Sequence, residues 1–312
     1  MEAFMRIGFS LPLHGSAARP EGLITIAKRA EALGYESLWV WERLLAPVNP
    51  KAPYPIGDGT HPAQFRSALD PLEALTFIAG HTERVALGTS VLVLALYNPI
   101  MLARQLTTLD VLSKGRLRVG LGVGWNIDEV EASGVAWAER GKRADEALHL
   151  LKAIWTTDPV EFHGRYCQIP PSYIGPKPVQ KPYPPIYMGA FTPASMRRLA
   201  REANGWNLVG VPLAAAPEML HAIREMAREA GRDPEALELV VRANVEFSAK
   251  PLGPDRMDFH GTLEQIGEDV AKARQVGASE LFFDLWTAHP QVDSVDDWLA
   301  RMEQLWQIAR PS

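Results

Sequence analysis

Glu42 and Arg43 stand directly after the apolar run Ser37-Leu-Trp-Val-Trp41, and His61 lies in the long loop beyond them, with Tyr54 and Asp58. A carboxylate or an imidazole can move a proton. An arginine cannot act as a base at ordinary pH, but it can stabilise an anion or clamp a carboxylate. Arg43 equally suits an ion pair between a strand end and a loop, and His61 equally suits a solvated loop. A second group is Gly120-Leu-Gly122-Val-Gly124, followed by Trp125. Glycines allow close approach of backbone to a flat ligand, and Trp125 can stack on such a ligand or pack inside. The run lacks the full Gly-x-Gly-x-x-Gly fingerprint, and no apolar-periodic helix opens directly on it, so a dinucleotide site is disfavoured. A third group is Gly189-Ala190-Phe191-Thr192-Pro193. Thr192 reads as a helix N-cap with Pro193 at the first helical position. The free N–H groups of such a turn suit a phosphate, although an ordinary capped helix uses the same residue types.

These groups sit at the ends of apolar runs that alternate with amphipathic stretches. Strands are expected at 5–11, 37–41, 86–93, 117–122, 185–189, 206–209, 239–247 and 280–285. Helices are expected at 21–33, 70–81, 100–112, 139–155, 193–203, 217–230, 262–276 and 295–308. The run Val85 to Leu94 is continuously apolar, as in a strand covered on both faces. Asp70-Pro71 and Asn98-Pro99 pair an N-cap with proline in the first turn. Residues 160–182, rich in proline, read as an excursion holding a small hairpin. The alternation predicts an α/β fold, a closed (β/α)8 barrel with an insertion after the fourth strand–helix unit, in one domain over 1–312. In such barrels the site lies at the strand C-termini, which is where the three groups fall. The loop 44–69 is long enough to cover that face.

The chain has 312 residues, 47% of them hydrophobic, and a net charge of −5 without a basic block, which argues against a nucleic-acid partner. Its one cysteine, Cys167, has no internal disulfide partner and reads as a packing residue. No cluster of His, Cys and carboxylates with ligand spacing is visible, so no metal is expected. Neither Gly-x-Ser-x-Gly nor a P-loop occurs. No apolar run approaches the roughly 20 residues of a membrane span, and no secretory signal is visible, so a cytoplasmic protein without a membrane partner is expected.

Several longer stretches carry a resemblance. They are Met5-Arg-Ile-Gly-Phe, Ala32-Leu-Gly-Tyr-Glu-Ser-Leu-Trp-Val, Thr82-Glu-Arg-Val-Ala-Leu-Gly-Thr-Ser-Val-Leu-Val-Leu, Gln105-Leu-Thr-Thr-Leu-Asp-Val-Leu-Ser-Lys-Gly-Arg, Gly122-Val-Gly-Trp and Pro184-Pro-Ile-Tyr-Met-Gly. The chain resembles the bacterial luciferase-like monooxygenase superfamily, and within it the F420-dependent oxidoreductases. The resemblance implies a TIM barrel and a deazaflavin F420 at the strand C-termini, with FMN as the alternative. It implies hydride transfer to or from a small-molecule substrate. The alternatives are a reduced-FMN monooxygenase served by a flavin or F420 reductase, and a non-catalytic flavin-binding barrel. A homodimer is also implied.

By the same resemblance, Ser90, Val91, Gly122, Gly124 and Trp125 border the ring. Gly189, Ala190, Phe191, Thr192 and Arg140 face the cofactor phosphate. A non-proline cis peptide is implied at Ser90-Val91. The family often has Asp-His where this chain has Glu42-Arg43, and its His is catalytic in some members. Glu42, Arg43 and His61 are therefore the catalytic candidates, with Glu42 also placed beside the cofactor. The cleft is expected to be lined by Glu42, Ser90, Gly122, Trp125 and Thr192.

Overall fold

A computed structural model of the chain describes residues 5–288 and 290–310. Eight parallel strands close into a ring. They are β1 (Arg6–Ser10), β2 (Ser37–Val40), β3 (Ala86–Thr89, resuming at Leu92–Val93), β4 (Leu117–Gly122), β5 (Ile186–Met188), β6 (Gly205–Leu208), β7 (Glu238–Asn244) and β8 (Glu280–Asp284). Each pairs with its sequence neighbours, and β1 pairs with β8 to close the barrel. Around it lie α1 (Pro20–Leu33), α2 (Pro71–Ala79), α3 (Pro99–Leu112), α4 (Arg140–Thr156), α5 (Pro193–Glu202), α6 (Ala216–Glu229), α7 (Leu263–Gln275) and α8 (Val295–Ala309). This is the TIM barrel the alternation predicts.

The expected caps form as read. Asp70 accepts from the N–H groups of Leu72 and Glu73, and Asn98 from those of Ile100 and Met101. Satisfying those orphan donors fixes where α2 and α3 begin. The excursion is an antiparallel hairpin, Val160–His163 with Gln168–Ser172. Its turn is tied to α4 by Glu146, which accepts from the N–H groups of Arg165, Tyr166 and Cys167. A short helix, Ile127–Ala132, opens two residues after Trp125. It has too few residues to show an apolar period, so the sequence does not announce it.

The third strand differs from the expected continuous run over 86–93. Its ladder with β4 runs from Gly88 opposite Arg118 to Leu92 opposite Leu121. Four steps on β3 (92 − 88) therefore face three on β4 (121 − 118), which is a bulge. The Ser90–Val91 peptide within it is cis. Gly120 and Gly122 make room for the bulge. A methyl at Gly120 would overlap the Thr89 carbonyl, and one at Gly122 would lie 2.7 Å from a Val91 methyl. The side of these glycines where a side chain would stand is thus filled by the neighbouring strand.

Inside the barrel, Trp39 stacks on Phe282 with ring centroids 4.8 Å apart. Below them, toward the strand N-termini, Glu280 is fully buried and holds Arg6, Arg118, Ser37 and the Trp39 indole. Among the described residues no helix is long and apolar enough to cross a membrane, and no group of His, Cys and carboxylates could hold a metal.

Candidate active site

The bulge at the end of β3 is held from four directions. Val40 accepts from the Ser90 N–H at 2.7 Å. Arg242 Nη1, from β7, donates to the Ser90 carbonyl at 2.6 Å. The Val93 N–H donates to Glu42 Oε2 at 2.7 Å. The Ser90 hydroxyl donates to Asn207 Oδ1, from β6, at 3.2 Å. Arg242 is itself oriented by Asp284 at the end of β8, at 2.8 Å. Two strands from the far side of the barrel, β6 and β7, therefore reach Ser90 of β3, and a third, β8, orients the arginine that does so. Two buried donors in this set have no protein partner, Asn207 Nδ2 and Arg242 Nε.

Glu42 is buried, and its second oxygen accepts from the Tyr97 hydroxyl. Burial pushes its carboxyl up to about 7, against the opposing hydrogen bonds from Tyr97 and Val93. Its ordinary value is 4.5, so the folded state holds the proton more tightly than the unfolded chain. The stability linked to that proton is full below about pH 4.5 and is lost as pH rises through about 7. Wild-type protein is expected to lose stability of order 2–3 kcal/mol between pH 5 and 8 at this site. The Glu42→Gln variant should not share that fall. Urea midpoints of both proteins at pH 5 and 8 check this, and parallel curves would count against it.

Arg43 faces Glu129 of the short helix at 2.9 Å and lies over the rings of Phe65 and Trp125. Glu129 also accepts from the Leu44 N–H. Of the two roles open to Arg43, the structure supplies the partner for the ion pair. His61 Nε2 lies 2.9 Å from the Ala52 carbonyl, so that nitrogen carries the proton. Its buried Nδ1 has no partner. The ring packs against Trp125 and Tyr54.

Gly189, Ala190, Phe191 and Thr192 follow β5. The Ser195 hydroxyl accepts from the N–H groups of Phe191 and Thr192, the donors expected to meet a phosphate. Arg140 opens α4 and stacks on Trp137, with its Nε buried and unpartnered. Cys167 is half-buried in the hairpin turn.

A cavity of about 590 Å3 opens at the same face, the C-terminal ends of the strands. Its lining comes from the loop 44–69, the ends of β6, β7 and β8, and the segment 255–260. Glu42, Ser90, Gly122, Trp125 and Thr192, expected to line the cleft, are not in that lining. For Trp125 the reason is the loop, since Tyr54, His61 and Phe65 pack onto its ring. Residues that the motif reading missed are Asn207, Arg242 and Tyr54 in its role on the cavity wall. Asn207 and Arg242 each interrupt an apolar strand near its C-terminal end, and that interruption is the signal that marks them.

The profile of luciferase-like monooxygenases matches residues 3–251. The chain belongs to this family. An uncharacterized protein of Mycobacterium tuberculosis is 32% identical over 283 residues, covering 89% of this chain and 90% of the relative. An F420-dependent glucose-6-phosphate dehydrogenase of Nakamurella multipartita is 31% identical over 234 residues, 73% of this chain and 64% of the relative. Among solved structures, an F420-dependent secondary alcohol dehydrogenase in complex with an F420–acetone adduct superposes with a TM-score of 0.76 at 18% identity, over 98% and 99% of the two chains. The coenzyme F420-dependent tetrahydromethanopterin reductase of Methanopyrus kandleri superposes with a TM-score of 0.74 at 16% identity, over 98% and 99%. At these identities the structural likeness concerns the fold. Together with the dehydrogenase relatives, membership of the luciferase-like family supports an oxidoreductase.

Proposed function

We propose that this chain is an F420-dependent oxidoreductase that moves a hydride between the deazaflavin and a small organic substrate. The observation that carries the reading is the pinned β3 bulge with its two unpartnered donors, Asn207 Nδ2 and Arg242 Nε. Buried donors without partners are rare in a native fold. A dioxopyrimidine edge presents the carbonyl oxygens that would satisfy them, so the residues present fit a deazaflavin ring. When bound, the deazaflavin would supply the two-electron chemistry.

The chain's own part is positioning. Arg242 and Glu42 hold the bulge at a fixed distance from β4, so a ring set against it would meet a surface that does not yield. Tyr54, Phe65, Trp125 and Trp286 form an aromatic wall over the strand ends, which excludes water from the site. F420 relatives about 30% identical over 73% of the chain support the choice of cofactor.

Asn207→Ala is expected to weaken F420 binding about tenfold, the effect of losing one or two hydrogen bonds to a bound ring, with little change in melting temperature. Quenching of F420 fluorescence on titration with each protein measures it. Equal affinity of the two proteins would remove Asn207 from the ring site.

A further inference from the structure

The cavity beside the bulge has walls that choose among substrates. Most of its surface is apolar, and Ile56, Leu208, Val211, Pro212, Phe259 and Trp286 are among the residues that line it. Its two cations are both matched. Arg242 pairs with Asp284, and Arg256 pairs with Asp269, its Nη2 lying 3.0 Å from Oδ1. The same lining carries three carboxylates, Glu246, Asp255 and Asp258. Asp258 accepts from the Leu213 N–H, and Glu246 lies 3.4 Å from His260. A dianion entering here would meet no free cation among the described lining residues and an excess of negative charge, so a phosphorylated substrate is opposed electrostatically.

Tyr54 brings a neutral hydroxyl donor to this wall on a ring that is held in place. The Tyr54 hydroxyl makes no hydrogen bond with any described residue, although its ring is fixed against Trp125 at 5.2 Å and Phe65 at 5.6 Å. Burial raises its pKa above the ordinary phenol value, with Arg242 and Arg43 acting against that shift, so it remains a donor at neutral pH. A rigid ring carrying an unused donor beside the apolar residues Ile56, Leu208 and Trp286 is an arrangement that orients one oxygen of a ligand.

We infer that the cavity takes an uncharged, largely apolar substrate with a single carbonyl or hydroxyl oxygen, and that Tyr54 donates a hydrogen bond to that oxygen. This rests on the oxidoreductase reading for the word substrate, but the binding it describes does not need the cofactor. Charge repels the sugar phosphate, and apolar wall area together with the Tyr54 donor favours the neutral compound.

The test is calorimetric titration of the full chain, with and without saturating F420, using cyclohexanone and glucose 6-phosphate as probes. Cyclohexanone is expected to bind at least tenfold more tightly than glucose 6-phosphate. Tyr54→Phe should weaken cyclohexanone about tenfold, as one lost hydrogen bond does, while melting temperature and F420 affinity stay unchanged. The inference is overturned if glucose 6-phosphate binds as tightly as cyclohexanone, if cyclohexanone does not bind, or if Tyr54→Phe binds it like wild type. Ketone binding that depends on Tyr54 in a protein that fails to bind F420 supports the inference and counts only against the cofactor reading.

Discussion

Replacing Arg242 with alanine should destabilise the fold by about 3–5 kcal/mol and weaken F420 binding at the same time. Arg242 and Asp284 are both buried, with side chains 11% and 3% exposed. Taking away the guanidinium leaves the Asp284 carboxylate in a poorly solvated place, holding only the Trp286 N–H at 3.1 Å. It also strips the Ser90 carbonyl of its partner. The bulge is then free to shift against β4, and on the proposed reading a donor to the ring is lost. On the proposed reading, F420 affinity of the folded protein should fall at least about tenfold, the equivalent of about 1.4 kcal/mol. Arg242→Lys should keep part of the charge pairing but lose the fork that spans Asp284 and Ser90 at once. Urea unfolding together with F420 fluorescence titration separates the two effects. A large stability loss with unchanged F420 affinity would leave Arg242 as a purely structural residue.

A comparable loss of stability is expected from Glu280→Ala, but without the binding defect. Glu280 is fully buried at the start of β8 and accepts from Arg6, Arg118, Ser37 and the Trp39 indole, the last at 2.9 Å. Alanine leaves Arg118 and Arg6 facing an apolar barrel interior with one carboxylate fewer. Breaking a buried ionic cluster from one side costs about 3–5 kcal/mol. The cluster lies toward the N-terminal ends of the strands, the face that contributes stability in this fold. The folded fraction of the variant should therefore bind F420 with wild-type affinity. Glu280→Gln, which keeps acceptors for Ser37 and Trp39, should lose less. A binding defect in folded Glu280→Ala would show that the two ends of the barrel are coupled.

The contrast between these two sites bears on how far the sequence could be read. Glu280 and Arg242 look alike in sequence, as charged residues set in apolar runs. Only closure of the ring tells which face each serves. The barrel itself was legible because its strands are buried on both faces and read as unbroken apolar runs, and because Asp70, Asn98 and Thr192 mark helix starts with side chains that do cap them. The β3 bulge was not legible from residue types, since Ala86 to Leu94 is apolar almost throughout, and resemblance alone pointed to it. Arg43 could be read as charged at a strand end, but its partner Glu129 lies 86 positions away. The spacing of Gly120 and Gly122 was visible, yet its cause, the Thr89 carbonyl and the Val91 methyl, required the neighbouring strand. Tyr54 was placed in the covering loop from sequence, and its free hydroxyl could be seen only once that loop had packed on Trp125.

The most direct test of the central claim is an anaerobic absorbance titration of the native protein with F420 and, separately, with FMN, each oxidised and reduced. The account predicts a saturable, one-to-one perturbation of the F420 spectrum, weakened in Asn207→Ala and in Arg242→Ala. It predicts at most weak binding of FMN. Saturable binding of FMN with no response to F420, or no response to either, would contradict it.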